Sequence, residues 1–318
     1  MEQHAISPLL YCFYRKKKGG VVLHYENVFQ AVLRYIDDNL KSNLNADILA
    51  GIAQFSTYHF CRMFSWHVGY SVMEYIRLRR LAFAASELSS ERKLIDIAMD
   101  YGFQTHSGFS KAFKRHYGVS PEAYRLHART EKLPIPDLLR MNKYFVGGIV
   151  MEPKFVTKPA VKLAGYEIRT RNIDGVNSKE IPAFWTAYLA DGRAGKLHEA
   201  SFVKDHAEYG ACFAENPENG EFSYVIGVEV EENANIPEAF HTCDLPPATY
   251  AVFSTPPCDN HVFSQNIQGT WQYIMNDWFP TSGYEYAPGC GDFEYYGEKA
   301  MGDKDVVCDI YVPVIKSK

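Results

Sequence analysis

Long apolar runs are missing from this chain: the longest, Tyr144 to Met151, falls far short of the ~20 residues that a bilayer-spanning helix needs. The basic residues Arg15 to Lys18 are followed by no apolar core, so neither a signal peptide nor a membrane partner is expected. Cysteine is sparse. Its seven copies are odd in number and scattered without framework spacing, which argues against a disulfide scaffold and for reduced thiols in a cytoplasmic protein. Phosphate loops, nucleophile–base signatures and metalloprotease helices are absent too, so no motif points to an enzyme.

What is present describes a folded chain. Hydrophobic residues make up 47% and aromatics 14%, too much for a disordered protein, and 318 residues exceed one ordinary core. The net charge of −5 is unevenly spread. Residues 27–130 carry 13 Lys and Arg against 9 Asp and Glu, whereas residues 151–318 carry 13 against 25. The first half suits a polyanion and the second would repel one.

Residues 48–75 and 97–124 repeat one pattern at an offset of 49: Ile48 with Ile97, Phe60 with Phe109, Phe64 with Phe113, Gly69 with Gly118, Ser71 with Ser120 and Tyr75 with Tyr124. Each copy reads as a short helix, a turn, a helix with aromatic anchors, then Gly and a Ser cap. That is a helix-turn-helix outline, and two in tandem reach two stretches of one DNA groove. Ahead of them, Val28, Val32, Leu33, Ile36 and Leu40 mark one helical face, and residues 1–26 read as a disordered extension. Pro134 and Pro136 open a linker over 131–152. From there strands are expected at 159–170, 209–214, 222–230, 247–255, 292–296 and 306–314, with helices at 178–190 and 262–279. The fold class is therefore two domains: an all-α domain of tandem helix-turn-helix units over 27–130, then an α+β domain of two pseudo-symmetric β-α-β-β units over 153–318. The groove between those units is a natural pocket.

With Phe60, Met63 and Phe64 turned inward, the front of the first reading helix carries Thr57, Tyr58, Cys61, Arg62 and Ser65. Arg62 suits bidentate reading of guanine. In the second unit Phe109 and Phe113 turn inward, and Thr105, His106, Ser107, Ser110, Lys111 and Lys114 face out. The lysines suit phosphates, which set affinity and salt dependence. Gly108 costs that helix about 1 kcal/mol of propensity relative to Ala.

The strings Arg62-Met63-Phe64, Arg79-Arg80-Leu81, Gly102-Phe103, Phe109-Ser110-Lys111-Ala112-Phe113 and Ser120-Pro121 with Tyr124-Arg125 resemble AraC/XylS-type transcription regulators over about residues 27–128. The resemblance implies double-stranded DNA and RNA polymerase as partners. The second half, through Leu163-Ala164-Gly165, Ile181 to Trp185, Trp278 to Glu285, Phe293 to Tyr296 and Asp309 to Pro313, is similar to GyrI-like effector-binding domains. That resemblance implies a small-molecule effector, cationic or aromatic, met by an acidic residue on a late strand; the matching position is Glu294. Candidate walls are Trp185, Tyr188, Trp271, Tyr284 and Tyr296, whose ring faces attract cations. The rival for Trp271 is plain packing, since Ile267, Trp271, Ile274 and Trp278 also mark a helix lying on a sheet. Two alternatives stand beside the sensor: a small-molecule hydrolase with Glu294 as general base, and a structural domain with constitutive DNA binding. His241, Cys243, Cys258 and His261 have a zinc-like spacing that the resemblance does not support, and no cofactor is expected.

Overall fold

The computed structural model describes residues 16–17, 20–21, 25–125 apart from 89 and 91, and 151–317 apart from 172–174, 214–215, 217–218 and 232. Most of the expected linker, including its apolar patch, lies outside the described residues. Two short strands, β1 (Lys16–Lys17) and β2 (Gly20–Val21), pair inside the stretch expected to be disordered. Helix α1 (Tyr25–Asp38) starts before residue 27 because Tyr25 belongs to the core. Its ring packs on Phe55 and His59, and its hydroxyl meets His59 Nε2 at 2.9 Å.

Both helix-turn-helix units form as the repeat predicts. The first is α2 (Ala46–Ala53), α3 (Thr57–Val68) and α4 (Val72–Glu87); the second is α5 (Leu94–Asp100), α6 (His106–Tyr117) and α7 (Pro121–Arg125). The reading helices α3 and α6 start and stop by the same chemistry. Ser56 Oγ accepts from His59 N and Thr105 Oγ1 from Gly108 N, and Gly69 and Gly118 end the helices at positive φ. A Cβ at Gly108 would sit 3.0 Å from that Thr105 hydroxyl, so the glycine leaves room for the cap. Phe60, Met63, Phe64, Phe109 and Phe113 are fully buried. Arg79 and Arg80 on α4 serve the fold: Arg79 pairs with Asp37 on α1, and Arg80 donates to Leu40 and Ser42 carbonyls.

The second domain is one antiparallel sheet with its helices on one face. The expected units are β4 (Val161–Arg171), α8 (Asn177–Ala190), β5 (Val203–Cys212) and β6 (Glu221–Val230), then β8 (Ala248–Ser254), α10 (Phe263–Tyr273), β10 (Asp292–Tyr296) and β11 (Asp309–Lys316). A short helix α9 (Arg193–His198) follows α8, and a π-helical turn over Ile274–Trp278 carries α10 into α11 (Phe279–Ser282). Each unit also has a leading strand that the sequence pattern did not reveal, β3 (Lys154–Lys158) and β7 (His241–Leu245). Both are short edge strands: β3 is almost wholly exposed and lacks the alternation that marks a half-buried strand, and β7 alternates over only five residues, among them His241 and Asp244.

The strand order is β3-β8-β11-β10-β5-β6-β4-β7, with β9 (Tyr284–Tyr286) beside β11. It reads the same way from both ends: each leading strand crosses to the other unit's edge, and the units meet at the β10·β5 pair. Strand alternation puts Asp292, Glu294 and Tyr296 on one face of β10, and Phe293 and Tyr295 on the other. Among the described residues no helix is long and apolar enough to cross a membrane.

Gly165 on β4 faces Gly227 on β6, and a Cβ there would meet the Ile226 carbonyl oxygen at 2.0 Å. Neither backbone can yield without parting the strands. Gly165→Ala is expected to destabilise this domain by about 3 kcal/mol, the upper part of the overpacking range. The measurement is the urea unfolding midpoint, and an unchanged midpoint would mean that the strands separate freely.

Candidate functional site

Glu294 lies at the seam between the two units, opposite Gly210 on β5. Its carboxylate accepts three hydrogen bonds from neutral donors: Trp271 Nε1 to Oε1 at 2.9 Å, and the Tyr296 and Tyr224 hydroxyls to Oε2 at 2.9 and 3.1 Å. Trp185 Nε1 donates in turn to the Tyr224 hydroxyl at 2.8 Å. Both helices contribute, Trp185 from α8 and Trp271 from α10, and the Trp185 and Tyr296 rings lie 4.8 Å apart. Gly210 makes the arrangement possible, because a Cβ there would sit 2.3 Å from the Tyr224 hydroxyl. Burial pushes the Glu294 carboxyl above the ordinary carboxylate range, and the three donors oppose that rise. The residue nevertheless keeps part of its surface accessible.

Of the expected walls, Trp185, Trp271 and Tyr296 gather here. Tyr224 joins them without a sequence signal, because a tyrosine beside Val225 and Ile226 in a strand looks like core. Tyr188 and Tyr284 take other places. Tyr188 is fully buried and donates to Glu208 at 2.6 Å, while Tyr284 stacks on Phe155 and Trp278 away from Glu294.

The two reading helices differ in what covers them. On α6, Thr105, His106, Ser107, Lys111 and Lys114 are exposed; Thr105 also caps the helix, and His106 approaches Glu122 at 3.3 Å. Ser110 is half-buried, turned from the solvent face that its spacing suggested. On α3 the expected front is covered. Thr57 donates to Asp47 at 2.7 Å, Cys61 is half-buried, Ser65 is buried, Tyr58 donates to the Cys290 carbonyl at 3.2 Å, and Arg62 forms an ion pair with Asp292. Only 14% of the Arg62 side chain and 2% of Asp292 remain exposed. Burial disfavours the Arg62 charge, but Asp292, Tyr286, Tyr58 and Cys212 together outweigh it, and the guanidinium stays protonated. No sequence signal could have paired residues 230 positions apart.

The zinc-like spacing leads nowhere in space. His241 lies 3.5 Å from Glu167, burial first and then nearby carboxylates push the Cys243 thiol up to about 12, and Cys258 faces Val306. Among the described residues no group of three or more His, Cys, Asp and Glu could hold a metal ion.

A family model described as integron-associated effector binding protein matches residues 154–314, just over half the chain, and a helix-turn-helix domain model matches 49–127. The N-terminal part is similar to the regulatory protein SoxS of Salmonella typhimurium, 36% identical over 104 residues that make up 32% of this chain and 97% of SoxS. YbfP of Bacillus subtilis, an uncharacterized HTH-type transcriptional regulator, is 38% identical over 104 residues, again 32% of this chain but 35% of YbfP. The chain thus spans about a third of that relative's length. The right origin-binding protein of Escherichia coli is 28% identical over 169 residues, 52% of this chain and 57% of that protein. Among solved structures, SAV2435 bound to tetraphenylphosphonium overlaps 52% of this chain and 94% of its own, at 20% identity and a TM-score of 0.43. The integron cassette protein VCH_CASS2 of Vibrio cholerae overlaps 52% and 97%, at 19% identity and a TM-score of 0.36.

His59 offers a pH test of the covered face. It accepts from Tyr286 N through Nδ1 at 3.2 Å, and burial first, then His67 and Arg62, lower its pKa to about 3. Unfolding lets it take up a proton below its ordinary value near 6.5, so its contribution is complete above that pH and is lost as pH falls toward 3. Relative to His59→Gln, the wild type is expected to lose about 1.4 kcal/mol of stability per pH unit between pH 6 and pH 4. Denaturant titrations at several pH values check this; parallel curves would contradict a neutral, buried His59.

Proposed function

Because the chain belongs to the integron-associated effector-binding protein family and carries an AraC-type helix-turn-helix domain ahead of it, we propose that it is a sequence-specific DNA-binding transcription regulator that senses a small organic cation. It works on this reading in the cytoplasm and meets RNA polymerase at the promoter it binds. The observation that carries the cationic assignment is the Glu294 carboxylate, solvated by three neutral donors and, among the described residues, paired with no cationic side chain. Hydrogen bonds satisfy its lone pairs but leave its charge uncompensated in a desolvated place. An organic cation supplies the missing charge, and the Trp185, Trp271 and Tyr296 rings favour it by roughly 0.5–2 kcal/mol each.

DNA binding rests on α6, whose exposed Ser107, Lys111, Lys114 and Arg115 form a basic front. Such a helix gains affinity by displacing counterions from phosphates.

Two outcomes follow. Tetraphenylphosphonium, used as a probe cation, is expected to quench the Trp185 and Trp271 fluorescence of the full chain, and Glu294→Gln to weaken its binding at least about tenfold. Equal binding by the variant would overturn the assignment, and turnover of an ester or epoxide substrate that Glu294→Gln abolishes would favour a hydrolase. Replacing Lys111 and Lys114 with Ala is expected to weaken binding to duplex DNA of any sequence. The log–log salt slope should fall by about 0.9 for each lost phosphate contact, measured by fluorescence anisotropy. An unchanged slope would remove α6 from the DNA interface.

A further inference from the structure

The repeat supplies an internal control. Tyr58, Arg62 and Trp66 are spaced by four, so they form one stripe along α3, and their counterparts 49 positions later on α6 are Ser107, Lys111 and Arg115. All three residues on α6 are exposed. All three on α3 are bonded to the C-terminal domain: Tyr58 to the Cys290 carbonyl, Arg62 to Asp292, and Trp66 Nε1 to Asn276 Oδ1 at 2.9 Å. The contact extends to both sides of the stripe. Ser56 N, at the start of α3, donates to Glu285 Oε2 at 3.0 Å, where a carboxylate also suits the helix dipole. The Arg62 guanidinium lies 4.7 Å over the Tyr286 ring. A helix held this way cannot enter a major groove.

The strand that holds Arg62 is also the strand that carries Glu294. Asp292 and Glu294 are two residues apart on the same face of β10, roughly 6.6 Å along the strand. A cation seated against Glu294 therefore repels Arg62 and competes with it for the same local negative potential.

We propose that the C-terminal domain is an autoinhibitory clamp on the first reading helix, in which Asp292 holds Arg62 away from DNA and a cation bound at Glu294 releases it. The clamp stands on the contacts to α3 alone; the release step rests on the cation-sensing reading of Glu294. Opening returns Tyr58, Arg62 and Trp66 to the position that Ser107, Lys111 and Arg115 already occupy. By linkage, DNA that engages α3 tightens cation binding by the same factor.

The experiment compares full-length wild type, Asp292→Asn, Asp292→Asn with Arg62→Ala, and Asn276→Ala, which removes only the Trp66 bond. DNA affinity is read by anisotropy on a duplex of about 40 base pairs, selected from a random pool with the Asp292→Asn chain and long enough for two readers one turn apart. Asp292→Asn is expected to bind at least about fivefold tighter than wild type, Asn276→Ala to shift the same way by less, and the added Arg62→Ala to cancel the gain. Tetraphenylphosphonium is expected to tighten DNA binding by the wild type and not by Asp292→Asn. If Asp292→Asn and Asn276→Ala both melt cooperatively and bind DNA no tighter than wild type, the clamp is wrong. If calorimetry shows that the cation binds but DNA affinity does not move, the release step is wrong while the sensor reading survives. If the cation does not bind at all, the sensor reading fails, and the variants still decide the clamp.

Discussion

Two carboxylates on one face of a central strand constrain the rest of this molecule. Asp292 and Glu294 both lie where burial raises the energy of a charge, and an isolated ion there costs more than one hydrogen bond returns. The protein answers the two differently. Asp292 receives a full cation, Arg62, from the other domain, whereas Glu294 receives three neutral donors from its own. A buried ion pair of this kind gives little net stability against an apolar replacement, yet losing one partner leaves about 3–5 kcal/mol of uncompensated charge. Such a pair is poorly suited to holding a fold together and well suited to registering whether two domains are in contact.

The duplicated sheet explains why these carboxylates share one strand. Exchange of β3 and β7 between the units locks the outer edges, leaving β10 and β5 to meet at the centre. At that seam Gly210 removes one side chain and Glu294 fills the gap with a charge, flanked by one helix from each unit. Asp292, two residues away on the same face, meets Arg62, which also reaches the Tyr286 hydroxyl on β9. The Glu294 site and the contact with α3 therefore share one face of β10.

Periodicity made most of the architecture legible. Apolar spacing fixes Phe60, Phe64, Phe109 and Phe113 as core, and Ser, Thr and Gly at the ends of α3 and α6 mark their boundaries without any tertiary information. The two β-α-β-β units show for the same reason. Glu294 came from resemblance rather than from spacing, and a half-buried acid has no local signature. What stayed hidden depends on distant partners: the edge strands β3 and β7, the phenol of Tyr224, and above all Arg62. Local chemistry reads Arg62 as an exposed base reader, and only the folded chain brings Asp292 to it. The same local reasoning holds for Lys111, which is exposed and meets no such partner among the described residues. The difference between the two is a property of the domain arrangement, not of the helices.

That difference has a thermodynamic consequence for a regulator with both readers in one chain. Helix α4, of 16 residues and ~24 Å, links the two units, so on the proposed reading a second contact with DNA would be made at the high effective concentration of a tethered group. A clamp on α3 alone leaves α6 free to hold phosphates in both states. On the proposed clamp, the closed protein would keep weak, salt-sensitive contact with DNA through the exposed Lys111, Lys114 and Arg115, and the open one would add a tethered reader. The gate then acts on the second contact only, where a modest change in the population of free α3 multiplies directly into the affinity for a two-part site. The acidic excess of the C-terminal half fits the same logic, since a negative surface seated on a DNA-reading helix competes with the polyanion that the helix would otherwise meet.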